Sequence, residues 1–225
     1  MKILIAILVA LLCSPAMVAA RGGGHDKLTS YDYHDYLDEA IQSKTFIRYK
    51  DGIATDLVWS FDRSIPGEVL RTEIATISGG DDILRKATSK FAPTAKSFGL
   101  IQNEHFDTSV SPPALYDTRN YDPPVDILTD SMVPGVAWAS AGEMNSTHSG
   151  VSYFIDKREV VGVENVNVTA GSFHNCLKVH VLTRIGSNYQ VDIEMNWICP
   201  DIGLVKRVGG RGTVLLDLAS VDYNE

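Results

Sequence analysis

The sequence predicts a mainly β protein, folded as an antiparallel sandwich, a barrel or a strongly curved sheet, with two short helices covering one face. Apolar and polar residues alternate with a period of two through most of residues 45–221, as they do in half-buried strands. Turn signals recur between the short strand-like runs, among them Lys50-Asp51-Gly52 and the glycine-rich segment 209–212. Many short strands joined by such turns are typical of antiparallel β folds.

The strand-like runs divide the chain into two halves. Along residues 69–77, Val69, Arg71, Glu73 and Ala75 alternate with their neighbours, so that these four share one face of a strand. We expect strands in the first half at 46–49, 57–61, 69–77 and 97–106, and in the second half at 136–139, 151–155, 159–169, 172–184, 189–199, 204–208 and 213–221.

Two segments have apolar residues at helical spacing instead. The first is predicted at residues 29–41, where Thr29 or Ser30 can cap the helix. The second is predicted to begin at Asp81 and to end before Pro93, which cannot continue a helix. The apolar side of the first helix consists of Tyr33, Tyr36, Leu37, Ala40 and Ile41, and that of the second consists of Ile83, Leu84, Ala87 and Phe91.

Residues 1–20 have the pattern of a secretion signal. Lys2 precedes an unbroken apolar run over residues 3–12, which is too short to span a bilayer core. The small residues Val18 and Ala20 fit the −3 and −1 positions of a signal peptidase site. We therefore predict cleavage after Ala20 and a periplasmic or secreted protein.

Cys13 raises the alternative of a lipoprotein, because it follows the apolar run. Lipidation usually requires a small residue directly before the cysteine, whereas Leu12 occupies that position here. We therefore favour cleavage after Ala20 over lipid attachment at Cys13.

Residues 21–225 are long enough for one β-rich domain. Four prolines fall in a turn-rich connection around 109–130, which we expect either to separate two halves of the sheet or to run along the domain as an extended arm. The formal net charge is −8. This acidic balance argues against binding to nucleic acid or to an anionic membrane surface.

Cys176 and Cys199 are predicted to form a disulfide in the oxidising compartment, with buried free thiols as the alternative. If Ser187 and Asn188 form the tip of a hairpin, the two cysteines lie directly opposite each other. That register places the polar residues of 191–198 on the same face as the apolar residues of the partner strand. We therefore also predict a β-bulge near residues 196–200.

The C-terminal half resembles a bacterial sequence pattern. Residues 163–179 are similar to a Glu-x-Val-x-Val-Pro-Ala-Gly-x-Phe segment that leads into a Leu-Lys-Val strand, with Thr169 in place of the usual proline. Residues 197–206 resemble its Trp-x-x-Pro-x-Val-Gly-Leu-Val-Lys segment, and residues 134–138 resemble its Gly-x-x-Trp opening. The pattern belongs to uncharacterised secreted proteins and lipoproteins termed TapB-like.

This resemblance covers residues 132–217 and implies the curved half-barrel of the LolA and LolB lipoprotein carriers. The one or two short helices that the helical spacing predicts would pack on this sheet. The resemblance also implies a place in the cell envelope, and binding of an apolar ligand or an accessory role there. The family offers no catalytic residues to transfer to this sequence.

We predict no catalytic residues, no metal site and no cofactor. The six histidines lack the short fixed spacing of zinc ligands, and the sequence has no Gly-x-Ser-x-Gly nucleophile motif. Asp192 and Glu194 alternate along one strand, and we interpret them as the solvated face of the sheet rather than as a hydrolytic pair.

The sequence therefore leaves three hypotheses for function, and it leaves the oligomeric state open. The first is an exported module that binds a lipid or another apolar ligand on a concave face; an apolar cavity of about 300 Å³ or more would favour it. The alternative is a structural module that contacts an envelope protein through a sheet edge or the proline-rich segment. An unrecognised hydrolase is third. Candidate ligand-lining residues are Trp59, Trp138, Phe173, Met195 and Trp197.

Overall fold

The protein is mainly β, as predicted. A computed structural model describes residues 40–50, 53–186 and 191–223, and these contain twelve strands and no helix. The predicted signal peptide, the alternative lipidation site at Cys13 and most of the first predicted helix lie outside these residues. The strands are β1 Ile41–Lys50, β2 Ile53–Asp62, β3 Val69–Ile77, β4 Ile83–Pro93, β5 Ser97–Asp107, β6 Ala114–Thr129, β7 Ala137–Ser146, β8 Gly150–Val168, β9 Gly171–Ile185, β10 Val191–Cys199, β11 Gly203–Gly209 and β12 Val214–Tyr223.

Each strand pairs antiparallel with its neighbours in sequence, and β1 also pairs with β12, which closes the sheet into a barrel. Phe46 lies opposite Leu218, and both are fully buried. The expectation of a half-barrel with helices packed on it was therefore wrong. Local alternation identifies strands, but it carries no information on whether the first and last strands of a sheet meet.

The second predicted helix is strand β4. Ala87 and Phe91 are four residues apart, a spacing that fits one face of a helix and equally one face of a strand. Both are buried on the inner face of β4, which pairs along its length with β3 and β5. Of the first predicted helix only its last two residues are described, and the second of them, Ile41, begins β1 and is buried.

Most of the proline-rich segment is strand β6 rather than a connection. The pairing of β6 with β5 jumps from Leu100 opposite Val125 to Gln102 opposite Asn120, so that the segment containing Pro123 and Pro124 bulges out of register. Proline cannot donate to a strand ladder, and it is tolerated at such an irregularity. The backbone pairing of β6 with β7 ends at Asp122 opposite Glu143.

Beyond that point, hydrogen bonds that involve side chains join β6 to β7 in place of backbone pairing. The amide of Asp126 donates to Ser140 Oγ over 2.9 Å. The indole Nε1 of Trp138 donates to the carbonyl of Asp126 over 3.0 Å. These two bonds satisfy backbone groups that the bulged strand would otherwise leave without partners.

The hairpin of β9 and β10 has the register predicted from its tip. Ile198 lies opposite Leu177, and the disulfide between Cys176 and Cys199 is present, with both residues buried. The β9–β10 pairing contains no break among the described residues. The irregularity predicted near residues 196–200 lies instead between β10 and β11, where Val205 has no residue opposite it.

This register turns the polar face of β10 toward the barrel interior. Asn196 is 4% exposed, whereas Ile193 is 44% exposed on the opposite face. Glu194, which was predicted on a solvated face, thus lies on the inner face and forms an ion pair with Arg207 at 3.2 Å, whereas Asp192, at the start of the strand, is exposed as predicted. The alternation was correct but its orientation was wrong, because the barrel interior holds charged groups.

The buried apolar residues form two main clusters. In residues 40–50, 53–186 and 191–223 there is no helix long and apolar enough to cross a membrane. The first cluster comprises Phe91, Phe98, Leu128, Met132, Val160, Leu177, Val179, Val181 and Ile198. The second comprises Phe46, Leu57, Trp59, Ala75, Val166, Cys176, Cys199, Val205, Leu216 and Leu218.

Candidate functional site

A cavity of about 480 Å³ lies at one end of the barrel, between the two core clusters. Its mouth is formed by the loop between β2 and β3, and we call it the mouth cavity. Ligand-binding cavities in proteins span about 300–1,000 Å³, so this volume is large enough for a small apolar molecule. It is lined by Lys44, Trp59, Phe61, Arg63, Ile65, Pro66, Gly67, Glu68, Val69, Arg71, Phe91, Pro93, Phe98, Ile127, Leu128, Ile198, Gly203 and Leu204.

One wall of the mouth cavity is apolar and rigid. The rings of Phe91 and Phe98, on the paired strands β4 and β5, are stacked with centroids 5.6 Å apart. Leu128 and Ile198 belong to the same buried cluster and extend this wall. Closely packed aromatic and aliphatic side chains of this kind favour contact with hydrocarbon over water.

The opposite wall combines an aromatic ring with a cation. Trp59 is 5% exposed, and its Nε1 donates to Glu73 Oε2 over 3.1 Å. The guanidinium carbon of Arg71 lies 4.2 Å from the centre of the Trp59 ring and 5.1 Å from that of Phe91. The aromatic faces thus hold the Arg71 cation in position at the cavity.

The hydrogen bonds of Arg71 are incomplete. Its Nη2 donates to Ser89 Oγ over 3.1 Å, whereas its buried Nε has no acceptor among the described residues. Burial lowers the pKa of Arg71 to about 10. The two carboxylates that line the cavity or adjoin it are engaged elsewhere, Glu68 with Lys90 at 2.8 Å and Glu73 with Arg85 at 2.9 Å.

Two further cations border the cavity nearer the mouth. Lys44 is buried, and its Nζ donates to the carbonyl of Ile202 and lies 5.7 Å from the centre of the Phe61 ring. The Nη1 of Arg63 donates to the carbonyl of Ile41 over 2.8 Å, and its guanidinium carbon lies 5.2 Å from the same ring. The polar groups of the cavity wall are therefore mostly cationic.

Deeper in the barrel, the interior is lined by charged side chains. Burial, and then the positive charge of Arg85, lower the pKa of Arg48, while Glu73 opposes this effect. The pKa of Arg71 is lowered in turn by Arg207 and Arg85, after burial and against Glu73. Since these arginines come from strands β1, β3, β4 and β11, the fold directs four cations into one interior.

The far part of the interior is organised around Asp117, which is 1% exposed. Its carboxylate accepts bonds from Arg119 Nε over 2.7 Å and from Ser146 Oγ over 2.8 Å, and from the His148 amide over 3.2 Å. Burial opposes ionisation of Asp117, but these bonds outweigh it and hold its pKa at about 2. Asp117 is therefore an ionised group that ties β6 to the β7–β8 turn.

The structure places the five predicted ligand-lining residues in different environments. Trp59 lines the mouth cavity. Trp138 is half-buried and bonded to β6, and Phe173 packs against the second core cluster. Met195 and Trp197 lie on the face of β10 opposite Asn196, so they point away from the barrel interior.

Trp197 is held on that outer face by charged neighbours. Its Nε1 donates to Glu164 Oε1 over 2.5 Å. Lys178 and Lys206, its partners on β9 and β11, lie 5.2 and 5.6 Å from its ring. Trp197 is thus flanked by a lysine on each neighbouring strand, and it also packs against the second core cluster.

Sequence reasoning missed the cations of the mouth cavity. Arg71 shares a strand face with Val69, Glu73 and Ala75, and this alternation is visible in the sequence. It does not show which face is inside, because the usual rule sends the charged face to solvent. The signal available in the sequence was the mixture of residue types on one face of β3. Arg71 and Glu73 share that face with the apolar Val69 and Ala75, which indicates charged groups on an inner face.

The barrel fold has known counterparts. A putative lipoprotein from Parabacteroides distasonis is similar in structure, with a TM-score of 0.50 and 17% identity, over 83% of this chain and 97% of that one. A putative exported protein with a YmcC-like fold from Bacteroides fragilis has a TM-score of 0.49 and 19% identity, over 86% of this chain and all of that one. No family model and no curated protein matches the sequence. At such low identity the first likeness shows the fold alone.

Proposed function

We propose that this protein is exported and that its barrel binds an apolar ligand in the mouth cavity. The observation that carries the proposal is the cavity itself, about 480 Å³ in volume and walled by Phe91, Phe98 and Leu128 at an end of the barrel. A filled barrel interior would instead have favoured a purely structural role.

The size and lining of the cavity support ligand binding. Apolar surface exposed inside a barrel is unfavourable in water, at about 25 cal/mol per Å² of apolar area. Phe91 and Phe98 stack on each other, so that each ring supports the position of the other in this surface. A ligand that displaces water from such a preformed cavity gains affinity without the cost of reorganising the protein.

Export is supported by residues 1–20 and by the disulfide. Lys2, the apolar run and the small residues before Arg21 have the pattern of a cleaved signal. A buried disulfide between Cys176 and Cys199 suits an oxidising compartment outside the cytoplasm. The structurally similar protein from Parabacteroides distasonis is a putative lipoprotein, which agrees with this location.

Ligand binding is tested with N-phenyl-1-naphthylamine, a neutral probe whose fluorescence rises in apolar surroundings. We expect saturable binding to the protein of residues 21–225. Val69→Trp fills part of the cavity and should weaken binding by about tenfold. Loss of the contacts of even one methylene of the ligand in an apolar pocket costs about 1–3 kcal/mol.

The matched control is Leu70→Trp, because Leu70 is the next residue of β3 and is 38% exposed on the outer face. Leu70→Trp should bind the probe as the unmodified protein does. Absence of binding to the unmodified protein, or equal loss in both variants, would contradict the proposal.

Export is tested by expressing the full chain in a bacterium and measuring the mass of the product in each cell fraction. A periplasmic product that begins at Arg21 supports the proposal. A full-length cytoplasmic product contradicts it, and a lipid-modified product that begins at Cys13 would replace cleavage after Ala20 by lipoprotein processing.

A further inference from the structure

We propose that the ligand of the mouth cavity is an anionic amphiphile, bound with its anionic group on Arg71 and its apolar chain directed toward the mouth. This inference rests on the proposed function and specifies its ligand class. It follows from the position of Arg71, from its missing acceptors and from the apolar path between Arg71 and the mouth.

Arg71 is a cation without a direct ion pair, although Glu73, two residues along the same strand face, places a negative charge nearby. No carboxylate of the described residues forms an ion pair with it, and its one hydrogen bond there joins Nη2 to Ser89. Burying a charge without a partner is costly, and buried charges in proteins are normally paired. A bound anion would supply that partner.

The neighbouring carboxylates do not fill this role. Glu73 accepts from Trp59 and pairs with Arg85, and Glu68 pairs with Lys90. Inside the barrel the charge of Glu73 opposes that of Arg71, whereas the charges of Arg85 and Arg207 add to it. The inner end of the cavity therefore has an excess of positive charge, which favours an anion there.

The direction of the ligand follows from the order of residues along β3. Arg71 lies two residues further into the barrel than Val69, which is about 7 Å at the rise of a strand. From Arg71 outward one wall of the cavity is apolar, with Phe91, Phe98 and Leu128, while Lys44 and Arg63 border the cavity nearer the mouth. An unbranched apolar chain extending from an anion at Arg71 would follow this path to Ile65 and Pro66.

The anionic group could be a carboxylate or a phosphate, since both accept hydrogen bonds from a guanidinium. The test is isothermal titration of the protein of residues 21–225 with four probes of equal chain length, each below its micelle concentration. The probes are dodecanoate, dodecyl phosphate, 1-dodecanol and dodecyltrimethylammonium.

We expect at least one of the two anions to bind about tenfold more tightly than 1-dodecanol, and the cation to bind more weakly than 1-dodecanol. An advantage for one anion alone identifies the head group. Equal binding of 1-dodecanol and both anions, or tightest binding of the cation, would overturn the inference. Failure of all four probes contradicts the proposed function and this inference with it.

Arg71→Met removes the charge and keeps an unbranched apolar side chain at the cavity. The variant should bind 1-dodecanol as well as the unmodified protein does, which also shows that it is folded, and it should lose the preference for the anions. The matched control is Arg211→Met, in the exposed turn between β11 and β12, which should keep that preference. A preference for the anions that survives Arg71→Met would overturn the inference. If Arg71→Met does not fold, the order of affinities of the four probes for the unmodified protein still tests it.

Discussion

The guanidinium carbon of Arg71 lies 4.2 Å from the centre of the Trp59 ring, and the indole nitrogen of Trp59 donates to Glu73. One side chain thus orients both a cation and a carboxylate on the inner face of β3. Because Trp59 is also part of the second core cluster, it links the packing of the barrel to the lining of the mouth cavity.

Replacing Trp59 should separate the contribution of its hydrogen bond to Glu73 from that of its ring. Trp59→Phe keeps a ring beneath Arg71 and removes the bond to Glu73, and we expect a loss of about 1 kcal/mol in the free energy of unfolding. Trp59→Leu removes both and leaves a void, and we expect a loss of about 3 kcal/mol or more. Urea denaturation measures both values.

The control for Trp59 is Trp197→Leu, since Trp197 lies on the outer face of β10. We expect Trp197→Leu to lower the free energy of unfolding by less than half as much as Trp59→Leu does. A larger loss at Trp197 than at Trp59 would contradict the assignment of inner and outer faces.

The orientation of β10 gives a second prediction. Ile198→Ala removes a side chain that is 5% exposed in the first core cluster, and we expect a loss of about 2–5 kcal/mol in unfolding free energy. Ile193→Ala changes a side chain that is 44% exposed, and we expect about 1 kcal/mol or less. Thermal and urea unfolding of the two variants provide the comparison, and a reversed order would show that β10 presents its other face to the interior.

The orientation of β10 also shows how far the sequence could predict this fold. Period-two alternation located ten of the twelve strands of the described residues at least in part, and the hairpin tip predicted the opposition of Cys176 and Cys199. The same register placed Asn196 on the apolar face of β9, and only the rule that polar faces meet solvent, which assumes an apolar interior, argued against it. Here Arg207 supplies an interior partner for Glu194.

The helical prediction for residues 81–91 failed for a different reason. Ala87 and Phe91 fit both periods, and the pairing of β4 with strands on both sides decided the outcome. The mouth cavity could be predicted in part, through Trp59. Its cation Arg71 could not, since its role depends on which residues the closed barrel brings opposite it.

The bulge of β6 over β7 makes Gly142 a third test. A Cβ at Gly142 would lie 2.1 Å from the carbonyl oxygen of Asp122 and 2.5 Å from Cδ of Pro123. Gly142→Ala should therefore destabilise the fold by about 3 kcal/mol or more, because the obstructing atoms belong to the backbone and a proline ring. Differential scanning calorimetry measures the loss.

Gly162→Ala is the matched control, because a Cβ at that strand glycine would meet nothing within 4 Å. We expect this variant to be within about 1 kcal/mol of the unmodified protein. Equal stability of the two variants would mean that Asp122 and Pro123 of β6 do not lie against Gly142 of β7.

The disulfide gives a fourth prediction. Cys176 and Cys199 are 23 residues apart, and a cross-link that closes a loop of this size contributes about 3 kcal/mol. Cys176→Ala with Cys199→Ala should lower the unfolding free energy by about this amount. A reducing agent should destabilise the unmodified protein and leave the double variant unchanged; sensitivity of the double variant would contradict the assignment.

Asp117 predicts a dependence of stability on pH. Its pKa falls from 3.8 to about 2 in the folded protein, so its ionised form favours the fold above pH 3.8. That contribution is lost as the pH falls from about 4 through about 2. Asp117→Asn should be about 1–3 kcal/mol less stable at neutral pH, and this difference should shrink in acid. Urea unfolding from pH 7 to pH 2 measures it, and a difference independent of pH would exclude the ionised carboxylate as its cause.

The central claim is that the mouth cavity holds an apolar chain, and a crystal structure with 12-bromododecanoate tests it most directly. Anomalous scattering locates the bromine at the end of the chain remote from the carboxylate. The account predicts a bromine peak inside the cavity near Ile65 and Pro66, with the carboxylate on Arg71. Bromine found on the outer face of the barrel alone, or no bound chain at saturating concentration, would contradict it.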